Sequence, residues 1–496
     1  MRNRLGVIKW RIRGISTNIQ CPVQGHRARS THAAVDSVFE TVSPSIKSWE
    51  EVPGPKPLPL LGNTWRFVPY IGGYSVEHVD KVCLSLREKY GKCVKMAGLL
   101  GRPDMLFVFD AGEVERVFRG EDSAPHRPSM PSLNYYKHTL RKDFFGAEKD
   151  CAGVIAVHGD SWAAFRTKVS KVALSTSSAA QYTVPVAEVA DAFSLDTRLG
   201  CFESVEGSES QRLIDAVHTF FISVGELELR APWWRIYPTA MFRRYVAALD
   251  TILRQVASQF YINSVTLSHV ERALKECQAN GGSKSLLQDL VTAAGPRVAA
   301  VAALDLFLVG IDTTSNAVAS TLYQLASRPH IQERLHDEIT KVLQGRPLAP
   351  GDINQMPYLK ACVKEVLRLF PVVIGNGRQL TKDTVICGYN IPRGIQVIFQ
   401  HYVMGNSEEY FSDASEFRPE RWIQRSTYKH HAFASLPFGF GKRMCLGRRF
   451  AELEMHVALC KIVQAFKMEY HHEPLDYHIH PMYTPNGPLR LKFIDR

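Results

Sequence analysis

The sequence predicts one mainly α-helical domain with a small β region, on three observations. Long segments place apolar residues at three- and four-residue spacing. A few short strand-like runs lie between turn residues, and no internal repeat or low-complexity stretch divides the chain after residue 52.

The helices are the clearer elements. Arg328–Leu343 carries Ile331, Leu335, Ile339, Val342 and Leu343 on one side, with charges elsewhere. Ala303–Ser327 is apolar nearly all round, which predicts a long helix buried in the core. Met356–Pro371 reads as a helix stopped by Pro371. From Leu446 onward, Leu446, Phe450, Leu453, Val457 and Cys460 repeat with helical spacing. Asp383–Pro392 and Gln396–Tyr402 are the strand-like runs.

The opening of the chain differs from the rest. Arg2, Arg4, Lys9, Arg11, Arg13, Arg27 and Arg29 fall within residues 1–35, and no acid precedes Asp36. Leu5, Val7, Ile8, Trp10, Ile12 and Ile15 are interleaved with these bases. An Arg-rich, acid-free, amphipathic start is the pattern of a mitochondrial presequence; a disordered basic tail is the plainer reading. Residues 36–51 form a leader, and four prolines in Val52–Gly62 stiffen the entry to a domain expected to span 52–496. No run approaches the ~20 continuous apolar residues of a membrane span, so a membrane anchor is not expected, while peripheral membrane association stays open.

Composition bounds the function classes. Of 496 residues, 45% are hydrophobic and 22% charged, which excludes disorder as the main state. The formal net charge of +11 favours an acidic partner: nucleic acid, an anionic membrane or an acidic protein. The ten cysteines are scattered singly with no C-x-x-C pair, which fits a reducing compartment and leaves room for one with a special task.

Cys445 is the candidate for it, although a lone cysteine before a helix is more often structural. It precedes a helix, whose free N–H groups and positive dipole end favour a thiolate. Arg443 adds a cation two residues back, and Gly439 and Gly441 permit tight turning against a large flat ligand. Elsewhere, Glu365 and Arg368 share a helix face, and the polar run Val309–Thr314 interrupts an otherwise apolar helix, a local lapse of the kind found at functional sites.

Together these segments resemble the cytochrome P-450 family. Phe438, Gly441, Arg443, Cys445 and Gly447 match its F-x-x-G-x-R-x-C-x-G loop. Glu365 and Arg368 match its E-x-x-R, Arg421 in FRPERW the later third member, and Val309–Thr314 its A-G-x-D/E-T-T, with valine in place of the usual alanine. The resemblance implies the cytochrome P-450 fold, with haem b between the long central helix and the cysteine loop. It makes Cys445 the axial thiolate and metal ligand, with Phe438 and Gly439 beside the haem. Trp162, Arg166, Arg378 and Arg443 would hold the propionates. Asp312 and Thr313 would organise water and deliver protons to dioxygen, and Glu365, Arg368 and Arg421 would form a buried structural network.

The branch implied is mitochondrial, on Lys360 and Lys364 with Arg448 and Arg449 after the cysteine, and the wording of Arg127–Gly146, Ser194–Cys201 and Thr381–Gly394 most resembles its insect members. In that branch such bases dock an acidic [2Fe–2S] ferredoxin, itself reduced by a ferredoxin reductase. The expectation is a monooxygenase on the matrix side of the inner mitochondrial membrane, acting on a lipophilic small molecule of hormone-like, cuticle-related or xenobiotic type and not on nucleic acid. Its substrate pocket is expected near Glu121–Ile155, Leu304–Thr313, Val372–Asn376 and Met482–Pro485. A haem-thiolate isomerase or dehydratase is one alternative. Another is a non-catalytic or misfolded haem-binding remnant, because about one helical segment is missing between Phe193 and Ser194 relative to the family pattern.

Overall fold

The computed structural model describes residues 46–127, 130–146, 151, 153–194, 209–230, 232–259, 286–424, 427, 429–479 and 482–496. The segments expected to be a presequence (1–35) and most of a leader (36–45) lie outside them, as does the stretch immediately after Ser194. The N-terminal part contains α1 (Val79–Tyr90), β1 (Cys93–Met96), β2 (Met105–Val108), α2 (Ala111–Arg119), α3 (Pro131–Tyr135) and α4 (Lys142–Phe145). It continues with α5 (Gly159–Ala173), α6 (Thr176–Ala180), α7 (Thr183–Ser194), α8 (Glu209–Leu229) and α9 (Ala240–Gln259). Next come α10 (Leu286–Ala294), α11 (Pro296–Ala326), α12 (Pro329–Leu343) and α13 (Pro357–Leu369). Beyond them lie β3 (Asn376–Gln379), β4 (Thr384–Ile386), β5 (Tyr389–Ile391), β6 (Gln396–Phe399), α14 (His401–Gly405) and α15 (Arg448–Ala465). The chain closes with β7 (Phe466–Glu469), β8 (Tyr477–Ile479), β9 (Tyr483–Pro485) and β10 (Lys492–Asp495).

The long apolar helix is the axis of the fold. It starts earlier than its apolar pattern suggests, at Pro296 after Gly295, and its 31 residues extend about 46 Å. Val298, Ala299, Val301, Ala302, Leu304 and Leu308 enter one core, and Ala317, Leu325 and Ala326 a second. Facing two cores explains why α11 is apolar nearly all round. By length and composition alone α11 would also pass for a membrane span, but its apolar side chains enter these two cores. In α12, Ile331, Leu335, Ile339 and Leu343 are buried, and Arg328 caps rather than begins the helix.

The strand runs need two corrections. Asp383–Pro392 is not one strand but the hairpin β4–β5, turned at Cys387 and Gly388 with φ of 52° and 80°. Left-handed values at both central residues are those of a type I′ turn, whose twist suits a two-residue hairpin. The second run keeps its strand only to Phe399, because His401 to Gly405 turn into α14. The largest sheet has the order β1-β2-β6-β3, with β2 parallel to β6 and its other pairs antiparallel. That order brings Asn376 and Arg378, from the segment after α13, alongside Phe399 and Val397.

Candidate cofactor and substrate site

Cys445 sits three residues before α15, whose first turn is capped by Gly447. The loop before it folds back on itself: the Cys445 N–H donates to the Phe438 carbonyl at 2.8 Å. Gly439 and Gly441 both hold φ near 70°, a region glycine enters without steric cost. The sulfur is exposed, but to an internal cavity of about 1920 Å³. Burial pushes its pKa up, while the Gly447 N–H and the charges of Arg166, Arg127 and Arg448 oppose that rise. A sulfur held this way would give up its proton most readily on coordinating a metal cation in the cavity.

Cations ring the same end of the cavity. Arg443 donates through Nε to the Pro125 carbonyl at 2.9 Å and through Nη1 to the Val157 carbonyl at 3.1 Å. Its Nη2 is buried with no partner among the described residues. Arg166 donates to the Met444 carbonyl at 2.8 Å, and Trp162, 2% exposed, lines the wall. Arg127 also lines the cavity, its pKa pushed down to about 10 by burial and by Arg378, with Cys445 opposing. Burial and neighbouring positive charge push His158 down to about 4, so this cavity-lining ring stays neutral. Neither Arg127 nor His158 was singled out by the sequence, since an Arg-Pro step and a lone histidine carry no periodic signal.

Arg378 requires a correction. It does not line the cavity; its Nε donates to Glu121 and its Nη1 to the Gly377 carbonyl at 2.9 Å. Its charge still reaches the site, because it helps push the pKa of Arg443 down to about 9. Phe438 faces the cavity, whereas Gly439 lies behind the wall against the Asn376 side chain. An orphaned buried guanidinium nitrogen, three cavity-lining arginines and a cysteine sulfur suit a flat anionic group bearing a metal. Haem, with two carboxylates and one iron, fits that donor set.

The central helix crosses the cavity with Val309, Gly310, Thr313 and Thr314. A side chain added at Gly310 would meet no atom within 4 Å, so the helix is open to space there. The Thr313 hydroxyl donates to the Val309 carbonyl at 2.7 Å. Asp312 is not among the cavity-lining residues; burial raises its pKa, and His218 opposes the shift. The expected pocket segments contribute Met130, Val154, Ile155, Val372, Val373, Asn376 and Met482. From β9, Tyr483 to Pro485 do not line it, while Phe221, Val224 and Glu228 of α8 do, unannounced by any motif.

Beside the site, Glu365 and Arg368 are 0% exposed and Arg421 1%. Arg368 donates to both Glu365 oxygens, at 3.0 and 2.8 Å, and Arg421 Nε to Oε1 at 2.8 Å. Trp422 Nε1 adds a bond at 2.8 Å to Oε2. The remaining guanidinium donors reach the carbonyls of Gly405, Ala414, Glu416, Ser412 and Asp413. Lys364 is exposed, and Lys360 donates to Asn354 Oδ1 at 3.1 Å. Arg448 and Arg449 both pair with Glu452, at 2.9 and 3.7 Å, so part of their charge is already balanced.

A family model described as Cytochrome P450 matches residues 160–493. The chain is 44% identical to "Probable cytochrome P450 49a1" of Drosophila melanogaster over 95% of this chain and 87% of that protein. It is 42% identical to "Probable cytochrome P450 301a1, mitochondrial" of the same species, over 97% and 92%. "Cytochrome P450 27C1" of Danio rerio is 29% identical over 91% and 88%. The first alignment spans 531 positions against a 496-residue chain, so at least 531 − 496 = 35 of its positions have no residue here.

Proposed function

The chain belongs to the cytochrome P450 family, and from that premise we propose that it oxidises a lipophilic small molecule in the mitochondrion with electrons from an acidic [2Fe–2S] ferredoxin. Family membership makes it a haem-thiolate oxidoreductase of the monooxygenase type, using haem b with a cysteine thiolate ligand. The observation that carries the reading is Cys445, its sulfur facing a cavity ringed by Arg127, Arg166 and Arg443. When bound, haem with a thiolate ligand supplies reductive activation of dioxygen.

The protein's own groups take the remaining roles. Arg127, Arg166 and Arg443 hold the two cofactor carboxylates by charge-assisted bonds. The Val309 and Met130 side chains keep the cavity apolar, and the open flank at Gly310 leaves room beside the Thr313 hydroxyl. Asp312, with its pKa raised, carries a proton toward that hydroxyl as a general acid.

The ferredoxin reading rests on Lys360 and Lys364 of α13 and Arg448 and Arg449 of α15. The two lysines lie close enough to the buried His456 of α15 to lower its pKa together. Charge of this kind steers a partner that must bind and leave quickly. Lys360→Glu with Lys364→Glu is expected to raise the KM for ferredoxin about tenfold or more at low salt and to flatten its salt dependence. Unchanged ferredoxin kinetics would remove the docking assignment.

Two relatives' names and the Arg-rich first 35 residues support mitochondrial targeting, and we place the protein on the matrix side of the inner membrane. Exposed Leu60, Leu61, Tyr70 and Ile71 approach exposed Trp233, Ile236 and Tyr237 through the turn that carries Leu100. Gly98 in that turn backs onto Gly62, and Gly101 onto Pro232. Such an apolar face suits peripheral membrane association.

A second reading, a haem-binding chain with impaired folding, is favoured by the unmatched alignment positions. The cavity also runs on between α7, α11 and α15, past Val186, Ala190, Val318, Leu322, Phe450 and Ala458. Transcripts that read directly from Phe193 to Ser194 would establish this chain as it stands; transcripts with an inserted helical segment would assign the gap to a gene structure error.

A further inference from the structure

The cavity carries a second group of charges, separate from the one around Cys445. Arg102, in the turn between β1 and β2, Glu228 near the end of α8, and Arg235 beyond it all line the wall. The electrostatic partners of Arg102 are Glu228 and Arg235, whereas Arg127 and Arg166 act on Arg443 and on Cys445. Arg235 is exposed and flanked by exposed Trp233 and Ile236, so this group sits where the cavity meets the surface.

Its donors are largely unspent. Among the described residues Arg102 donates once, through Nη2 to the Arg230 carbonyl at 3.2 Å. Among the described residues no hydrogen bond runs from the Arg235 guanidinium, which lies 5.5 Å from the Trp234 ring. Glu228 is turned toward Ser132, whose N–H at 2.9 Å and hydroxyl both donate to Oε1. Burial also pushes the Glu228 carboxyl up, which weakens its hold on either arginine. Arg230 is already paired with Glu226 at 2.9 Å. Two guanidinium groups against one carboxylate leave a surplus positive charge.

Between the two groups the described residues of the wall offer no open charge. Asp305 of α11 lines the cavity, but one carboxylate oxygen is paired with Lys137 and the other accepts from the Val154 and Ile155 N–H groups at 2.7 and 3.4 Å. Glu454 is taken up by Thr314. Met130, Phe221, Val224 and Val309 supply apolar surface.

We propose that Arg102 and Arg235 recognise the anionic head, a carboxylate or a sulfate, of a lipophilic substrate whose apolar end points toward Cys445. The proposal rests on the monooxygenase reading and deepens it by naming the substrate class. Charge-assisted bonds to a guanidinium fork reward an anionic oxygen group over a neutral one. Oxygen is then inserted near the end remote from the head.

The test uses the full-length, haem-loaded protein and the shift of its haem absorbance on titration. The probes are a long-chain fatty acid with its methyl ester, and a sterol sulfate with its parent sterol. At least one anion is expected to bind about tenfold tighter than its neutral counterpart, a difference of about 1.4 kcal/mol; which pair shows it separates carboxylate from sulfate. Arg102→Gln with Arg235→Gln should abolish the preference, and Arg102→Lys with Arg235→Lys should keep most of it. Imidazole affinity, which reports the iron alone, should match wild type in both variants. Equal affinity within both pairs, or a preference that survives the glutamine variant, would overturn the proposal. Absence of any imidazole shift in the wild type would sink the haem-thiolate reading with it, whereas lack of ferredoxin-supported turnover leaves these titrations to be judged alone.

Discussion

The guanidinium of Arg443 lies 3.4 Å from the centre of the Trp162 ring, joining the cysteine loop to α5 across 281 residues of sequence. Two of its nitrogens are spent on the Pro125 and Val157 carbonyls, and Nη2 is left to the cavity. A hydrogen bond to a charged group is worth about 1.5–3 kcal/mol. Arg443→Gln is therefore expected to weaken haem retention about tenfold or more, read as the ratio of haem to protein absorbance after gel filtration. Retention equal to wild type would mean that Nη2 does not serve the cofactor.

Glu365 accepts from Arg368 and Arg421 in the interior and from Trp422 and the Arg418 N–H at its edge. Removing one partner of a buried pair leaves an uncompensated charge and costs about 3–5 kcal/mol, against a total stability of about 5–15 kcal/mol. Glu365→Gln should yield mostly insoluble protein, and Arg368→Lys, which loses the fork, should lower the unfolding temperature of whatever is recovered. Wild-type melting of either variant would contradict the network's bracing role.

Lys137 and Asp305 form another ion pair, at 1% and 0% exposure, and Gly153, with φ of 81°, packs against both. Lys137→Met and Asp305→Leu should each destabilise by several kcal/mol, by the same argument of an orphaned charge. The double variant should recover much of that loss. Additive losses in a double-mutant cycle of unfolding free energies would show that the two side chains act independently.

Buried histidines set the acid limit. His456 has its pKa pushed down to about 4, by burial first and then by Lys360 and Lys364, and His401 is pushed down to about 3. The unfolded chain takes up these protons near pH 6.5. Protons therefore favour unfolding, so stability is full above about pH 6.5 and falls as pH drops toward 4. A lowering of this size at His456 corresponds to about 3 kcal/mol at the acid end. His456→Gln should flatten denaturation midpoints across that window, and an unaltered slope would contradict the assignment.

Legibility in the sequence followed range. The Cys445 loop, α12, α13 and the pair Glu365–Arg368 lie within single contiguous segments, where spacing alone reports a face or a turn. Arg421 was within reach because its own segment, FRPERW, carries a motif. Lys137 and Asp305 are 168 residues apart, and neither position differs locally from an ordinary surface charge. Glu121, which takes up Arg378, and Arg127, which joins the cavity wall, lie in a loop without periodicity. The Asp383–Pro392 hairpin was hidden because its turn uses cysteine where asparagine would have marked it. Asp312 was placed by its motif, but a helix facing two ways decides by a fraction of a turn which side chain meets the cavity.

The central claim is that the Cys445 sulfur binds haem iron, and the direct measurement is the carbon monoxide difference spectrum of reduced, haem-loaded protein, wild type beside Cys445→Ser. The account predicts the long-wavelength carbonyl band of a thiolate-ligated haem in the wild type and its loss in the variant. A histidine-type carbonyl spectrum that is identical in both proteins would contradict it.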